Sequence, residues 1–348
     1  MHYPKRSFSS DDLKKGLFVN LGKYIKDRQH KCGAIPSDDD GFHDPWDHIE
    51  SIMGLSFSQE YAASKLAFSW LMKNQNNDGS WFAKYKNEVP IEKNKPTHFG
   101  PYISVAALHF YKIFLDKNFL EELWPVIESA INFSLNLQIK NGTIPWSIDK
   151  YGEIEEDFLI TGCSSILKSI ECGLAISKIL KKDKDTKGWI KSYELLSKAI
   201  KNPVRKFDLL KDRKRFSMDS YYPILSGCLD KNEIKAYVNK IFKDFYVKDI
   251  GIKCVIEEPW VTVAETSEFI ISLMLHGDQD KSKELLTDVL NITDLNKIPY
   301  MGWQYEENIF WPDEKPSWTA AALIIAADTV LNFSNASNLF LENQLSLY

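Results

Sequence analysis

Apolar residues recur at helical spacing along nearly the whole chain, and the segments they define alternate in character. An opening helix is predicted from Asp11 to Arg28, capped by Ser9 or Ser10. After a polar loop, twelve segments group as six pairs. They are Pro45–Leu55 with Gln59–Asn74, Pro101–Leu115 with Phe119–Leu137, and Gly162–Leu180 with Trp189–Ile200. Tyr221–Cys228 with Lys231–Phe245, Ala264–Leu275 with Lys281–Val289, and Trp318–Leu331 with Ala336–Gln344 follow. First members are small and apolar, as in Ser164 to Ser177; second members carry a charged face, as in Lys231 to Lys243. A helix apolar all round is buried, and one with a polar face lies at the surface. The pattern therefore predicts an all-α fold, an (α/α)6 toroid with six inner and six outer helices. Residues 1–348 read as a single domain, with the opening helix as an extra element at about 11–28. The best strand-like stretch is Ile252 to Ile256.

Two stretches repeat one pattern: Gln75 to Trp81 and Gln138 to Trp146. Each ends an outer helix on glutamine, passes a polar glycine turn and reaches a tryptophan. Because outer and inner helices run antiparallel, the loops leaving outer helices gather at one mouth. The short links within pairs, such as Gly277 to Asp280, gather at the other end.

Composition narrows the partners. The net charge of −5 comes from interspersed charges, and no basic stripe interleaved with aromatics suggests nucleic acid. The densest basic run, Lys211 to Arg215, is broken by Asp212 and reads as a solvated loop. Five widely spaced cysteines (Cys32, Cys163, Cys172, Cys228 and Cys254) suit reduced thiols in a cytoplasmic protein. Met1 to Lys15 lacks the apolar core of a signal peptide, and no run of about 18 apolar residues suggests a membrane span. The oligomeric state is not legible.

The mouth loops are rich in aromatics and acids. Of ten tryptophans, Trp70, Trp124 and Trp189 fall on outer helices, and the rest fall in loops or at inner-helix starts. Aromatic faces beside carboxylates suit a carbohydrate, which presents C–H faces and hydroxyls together. Asp47 lies in the first turn of the first inner helix and Glu265 in the corresponding turn of the fifth. Acids are favoured there by the helix dipole in any protein. Read functionally, they are a carboxyl pair facing across the mouth. Glycoside hydrolysis needs one acid to protonate the leaving oxygen and a second to activate water or attack carbon. Inverting and retaining outcomes both stay open, with inverting preferred. Candidate sugar contacts are Trp46, Glu50, Trp81, His98, Tyr102, Asp219, Tyr221, Tyr222, Trp260, Trp303, Tyr305 and Trp318. Asp219 reads equally as a helix cap, and Glu306 and Glu307 as loop acids or a base. Cys163 is either a helix-start nucleophile or a small packing residue. His43, Asp44, Asp47 and His48 match no strong zinc spacing, so neither metal nor cofactor is expected.

The Gln75 to Trp81 stretch resembles the QW motif of squalene-hopene cyclases, which are also α/α toroids. The Asp-x-Asp-Asp acid those enzymes need has only a near miss in Ser37 to Gly41, before the first inner helix. A longer similarity starts at Phe119–Glu128 and leads to Gln138 and Trp146, matching hairpins of glucoamylase-like and other six-hairpin glycosidases. Asp44–His48, Ser217–Pro223, Pro259–Thr266 and Pro316–Ala321 together resemble bacterial prenyltransferase-like proteins and the mycobacterial methylmannose-polysaccharide hydrolases. That resemblance implies an α-mannoside-cleaving endo-hydrolase with Asp47 and Glu265 as its carboxylates. A terpenoid cyclase and a non-catalytic sugar-binding toroid stand as alternatives.

Overall fold

The computed structural model describes residues 13–37, 39–182 and 186–348. Its α-helices are α1 (Lys15–Arg28), α2 (Pro45–Phe57), α3 (Tyr61–Asn74), α4 (Ile103–Phe114), α5 (Lys117–Leu135) and α6 (Ile160–Leu180). They continue as α7 (Lys187–Lys201), α8 (Met218–Leu225), α9 (Lys231–Asp244), α10 (Val263–His276), α11 (Gln279–Val289) and α12 (Ser317–Leu331). Helices α2, α4, α6, α8, α10 and α12 pack one against the next, and α12 returns to α2, closing an inner ring. Their small residues make this close approach feasible. From Thr319 to Val330 every residue of α12 is buried, much of it alanine. The outer helices cover this ring, each burying only one face: Trp189, Leu196, Ala199 and Ile200 on α7, and Ile234, Val238 and Ile241 on α9.

The sixth outer place is filled differently from the sequence expectation. Residues 336–344 do not form an α-helix. Instead α1 packs against both α12 and α2, so the opening helix is the sixth outer member rather than an extra. It begins at Lys15 behind an extended Lys14, later than predicted; the Ser9 and Ser10 caps lie outside the described residues.

The repeated glutamine turns explain how outer helices are tied together. Gln75 Nε2 donates to the carbonyls of Gly79 (3.1 Å) and Val126 on α5 (3.0 Å). Gln138 Nε2 donates likewise to Gly142 (3.0 Å) and Ser192 on α7 (3.0 Å). A third copy, unrecognised in the sequence, is Gln29, which donates to Gly33 (3.2 Å) and Ala63 on α3 (3.0 Å). The glycines have positive φ, and each passes tight against the next outer helix. A Cβ would fall 2.2 Å from the Leu66 carbonyl oxygen at Gly33, 2.2 Å from that of Ser129 at Gly79, and 2.3 Å from that of Leu195 at Gly142. Three outer-to-outer joints thus use one device, and the third places α1 in the series.

The chain after α12 turns under the ring. Asn332 takes the left-handed conformation, Asp328 accepts from the Ser334 amide and hydroxyl, and a 3-10 turn spans Gln344–Ser346. Gln344 is fully buried there, accepting from Lys112 Nζ (3.2 Å) and donating its amide N–H to Glu171 Oε1 (3.0 Å).

Short antiparallel strands dress the loops: β1 (Phe42–His43), β2 (Lys84–Lys86), β3 (Val89–Glu92), β4 (Lys95–Pro96), β5 (Ser147–Ile148), β6 (Tyr246–Val247), β7 (Gly251–Ile252), β8 (Trp260–Thr262), β9 (Gly302–Gln304) and β10 (Ile309–Phe310). They form the sheets β1-β2-β3, β8-β9-β10, β4-β5 and β6-β7. The predicted strand at Ile252–Ile256 is mostly irregular, with single bridges at Lys253 and Val255. Backbone groups in the long loops find partners through these ladders.

Candidate active site

The N-termini of the inner helices meet at one end, where the long loops arrive. Asp44 caps α2, its Oδ1 accepting from the Asp47 amide at 2.8 Å, with Pro45 in the first turn. This fixes Trp46 and Asp47 on successive positions of the first turn. Asp47 Oδ2 accepts from Ser37 Oγ at 2.7 Å. The Trp46 indole stacks on Tyr102 at 4.3 Å and 11°, with His98 edge-on at 5.4 Å. Across the ring, Glu265 in the first turn of α10 accepts from the hydroxyl of Thr262. Asp47 and Glu265 therefore sit on helices that flank α12 on either side.

Beneath this layer lies a second pair of carboxyls. Glu50 accepts from Tyr102 Oη at 3.1 Å. Glu268 accepts from Tyr221 and Tyr222, each at 2.5 Å. Burial pushes both acids above the usual carboxylate range, and for Glu268 the charge of Glu50 adds to the rise. Two carboxylates that sense each other in a dry site do not both ionise readily. A space of about 20 Å³ touches both acids and the hydroxyls of Ser164 and Ser165, with room for about one water.

The open cleft has two lobes that share Asp44 and Phe99. The larger, about 500 Å³, is lined by Asp47, Trp146 and Trp318, with Glu92, Asn94 and Glu314 among its polar groups. The smaller, about 230 Å³, is lined by Trp46, His98, Tyr222, Met218 and Arg213. Burial, with Arg213 adding, lowers His98 to about 4, so its ring is neutral at pH 7. Trp146 Nε1, His98 Nδ1 and Asp219 Oδ2 have no protein partner.

Arg213 is a mouth residue that sequence reasoning missed. Its Nη2 meets Asp219 Oδ1 at 3.1 Å, and its Nε lies 3.9 Å from Asp208 Oδ1. Burial raises Asp219 to about 6 despite this pairing. The cap of α8 is Ser217, so Asp219 is a partner of Arg213 in the first turn and not the cap. The acid-broken basic run gave no signal that one of its cations turns inward.

Other expectations are corrected. Trp81 is fully buried, donates its indole N–H to the Leu71 carbonyl at 3.0 Å and has no face left for a sugar. Tyr221 is also fully buried and reaches the site only by holding Glu268. Trp303 is 4% exposed and packs edge-on against Phe310, so it supports the β8-β9-β10 sheet. Trp260 is half-buried, with its N–H on the Trp311 carbonyl, and Tyr305, just beyond β9, is half-buried with its amide on the Pro259 carbonyl at 3.0 Å. Glu306 and Glu307 are exposed on the turn before β10. Cys163 is buried and pushed up to about 12 by burial, which leaves a packing residue and no nucleophile. His48 has both ring nitrogens engaged, by the Ile35 amide and the Ala67 carbonyl.

First-turn carboxyls on α2 and α10, aromatic walls and an open cleft on an α/α toroid suit a glycoside hydrolase of the six-hairpin class. No family model matches the chain. It is 34% identical over 316 residues to the MMP endo-(1,4)-3-O-methyl-alpha-D-mannosidase of Mycolicibacterium hassiacum, covering 91% of this chain and 86% of that protein. The chain belongs to the family of that mannosidase. An uncharacterized glycosyl hydrolase of Methanocaldococcus jannaschii is 29% identical over 152 residues, 43% of this chain and 23% of its own. Among solved structures, a wild-type glycosidase matches with a TM-score of 0.72 at 12% identity, covering 93% of this chain and 99% of its own. A D-mannose isomerase matches with a TM-score of 0.71 at 12% identity, covering 95% and 100%. These two share the fold.

Proposed function

We propose that this glycoside hydrolase cleaves internal α-mannosidic bonds of a polysaccharide, with Asp47 and Glu265 as its carboxyl pair. The observation that carries the reading is their placement. Each occupies the first turn of an inner helix at the mouth, each accepts from a hydroxyl, and each stands a turn above a buried acid, Glu268 feeling the charge of Glu50. One would protonate the leaving oxygen while the other acts on water or on the anomeric carbon. Helix α12 stands between α2 and α10, which favours the wider inverting separation of about 6.5–9.5 Å over the retaining one of about 5–5.5 Å. Trp46 and Trp318 would stack on sugar faces, and Glu50, His98, Tyr102, Asp219 and Tyr222 would line or support the neighbouring subsite. The family membership supports an α-(1→4)-mannan, including the 3-O-methylated chain named for the relative. The five free cysteines support a cytoplasmic setting.

Digestion of an α-(1→4)-linked 3-O-methylmannose oligosaccharide, followed by mass spectrometry and early-time proton NMR, tests this reading. Medium-length products with inverted anomeric configuration are expected. Release of monosaccharide alone would overturn endo action, and retained configuration would overturn inversion.

A further inference from the structure

The sheet β8-β9-β10 joins the mouth to an exposed tryptophan outside the cleft. Thr262 pairs with Gly302 in the β8–β9 ladder, and Trp311 continues the β9–β10 register with its N–H on the Gly302 carbonyl at 3.1 Å. Thr262, Gly302 and Trp311 thus lie in one row across three strands. Residues directly opposed across a ladder share a face of the sheet. The face that carries the Thr262 hydroxyl, which holds Glu265, therefore also carries Trp311. At a strand spacing of about 4.8 Å, the Trp311 backbone stands roughly 10 Å from that of Thr262, within the span of a short oligosaccharide.

The position is also fixed. Trp260, two residues before Thr262 and on the same face, meets Trp311 edge-to-face at 5.2 Å and 80°. Its Nε1 donates to the Trp311 carbonyl at 2.6 Å. Gly302 leaves room between them, since a Cβ there would come within 2.5 Å of the Trp260 indole nitrogen. Trp311 remains 52% exposed. The adjoining Met301 lines the large lobe, and its amide bonds to the carbonyl of Glu314, another lining residue. The cleft lining therefore adjoins strand β9 along the chain, one residue from the row that carries Trp311.

We propose that Trp311 is a distal stacking subsite, taking the C–H face of a sugar ring beyond those held in the cleft, so that the enzyme favours longer chains. This rests on the glycoside hydrolase reading above. Losing one partly covered aromatic contact of this kind should cost about tenfold in binding.

The test measures kcat/KM for wild type, Trp311→Ala and Trp311→Phe on 3-O-methylmannose oligosaccharides of increasing length. The expected result is a loss in Trp311→Ala that grows with length to about tenfold, falls mainly in KM and is largely restored in Trp311→Phe. A loss equal at every length, or none, overturns the subsite. Calorimetric titration of the longest oligosaccharide into Asp47→Asn, with and without Trp311→Ala, reads the same contact without turnover. Equal affinity overturns the subsite even where hydrolysis is absent. Binding that depends on Trp311 in a protein that cleaves no such chain would sink the hydrolase reading and keep the subsite. Absence of both binding and cleavage overturns both.

Discussion

The two ends of the toroid bury charge in opposite ways. At the closed end, Lys168 and Glu171 lie 2.7 Å apart on one helix, 3% and 0% exposed. Glu171 also accepts from the Gln344 amide, and Lys168 reaches the Glu342 carbonyl. Lys168 thus has its counter-charge in Glu171, and the nearby Lys112 is held by Gln344 Oε1. Toward the mouth, Glu50 and Glu268 border one small space, with Lys168 on its far wall; the hydrogen bonds they accept come from tyrosine hydroxyls, and burial raises both. A paired, saturated buried ion is consistent with structure. Two carboxyls buried together beneath the cleft, both raised by burial, mark a place arranged for chemistry.

The largest stability effect should come from breaking the closed end. Glu171→Leu leaves Lys168 buried without a counter-charge and should cost about 3–5 kcal/mol in urea unfolding. Replacing both, Lys168→Met with Glu171→Leu, should recover most of that loss. A double variant as unstable as the single one would break the pairing half of the comparison.

Two tryptophans sharpen it further. Trp81→Ala should destabilise by about 3–5 kcal/mol, because the ring is wholly core. Trp46→Ala should lower kcat/KM about tenfold or more through loss of a sugar-stacking face. Its melting temperature should move less than that of Trp81→Ala. Next in size, Gln344→Ala should cost about 1–3 kcal/mol by stranding Lys112 and nearby carbonyls, read by thermal unfolding.

The mouth pair predicts a pH slope. Glu268 is raised from an ordinary 4.5 to about 8. Between those values the folded protein holds more protons than the unfolded chain, so this contribution to stability is full below pH 4.5 and falls as pH rises toward 8. Glu268→Gln removes the titrating group and should flatten stability over that window. An unchanged slope would show that Glu268 is not raised by its burial and by the charge of Glu50.

The ring architecture is legible in the sequence. Small apolar segments against charged amphipathic ones marked the two rings, since period and burial go together. Family resemblance and first-turn position singled out Asp47 and Glu265. The last outer helix was misread. The Asp328 carboxyl accepts from the Ser334 amide and the Ser334 hydroxyl from the Ala336 amide, bonds that compete with helical ones, and α1 already fills the place. In the sequence Trp81 and Trp303 read as sugar walls, because loop tryptophans look alike until packing decides which face is free. Arg213 and the Glu50–Glu268 contact depend on which loop folds over which helix, and chain spacing does not encode that.

The central claim is that Asp47 and Glu265 cleave an internal α-mannosidic bond. It is tested most directly by initial rates of wild type, Asp47→Asn and Glu265→Gln on an α-(1→4)-linked 3-O-methylmannose oligosaccharide, with unfolding curves as a control. The account predicts internal cleavage by wild type and rates reduced by roughly two to four orders of magnitude in each folded variant. Full activity in either variant, or no cleavage by wild type, would contradict it.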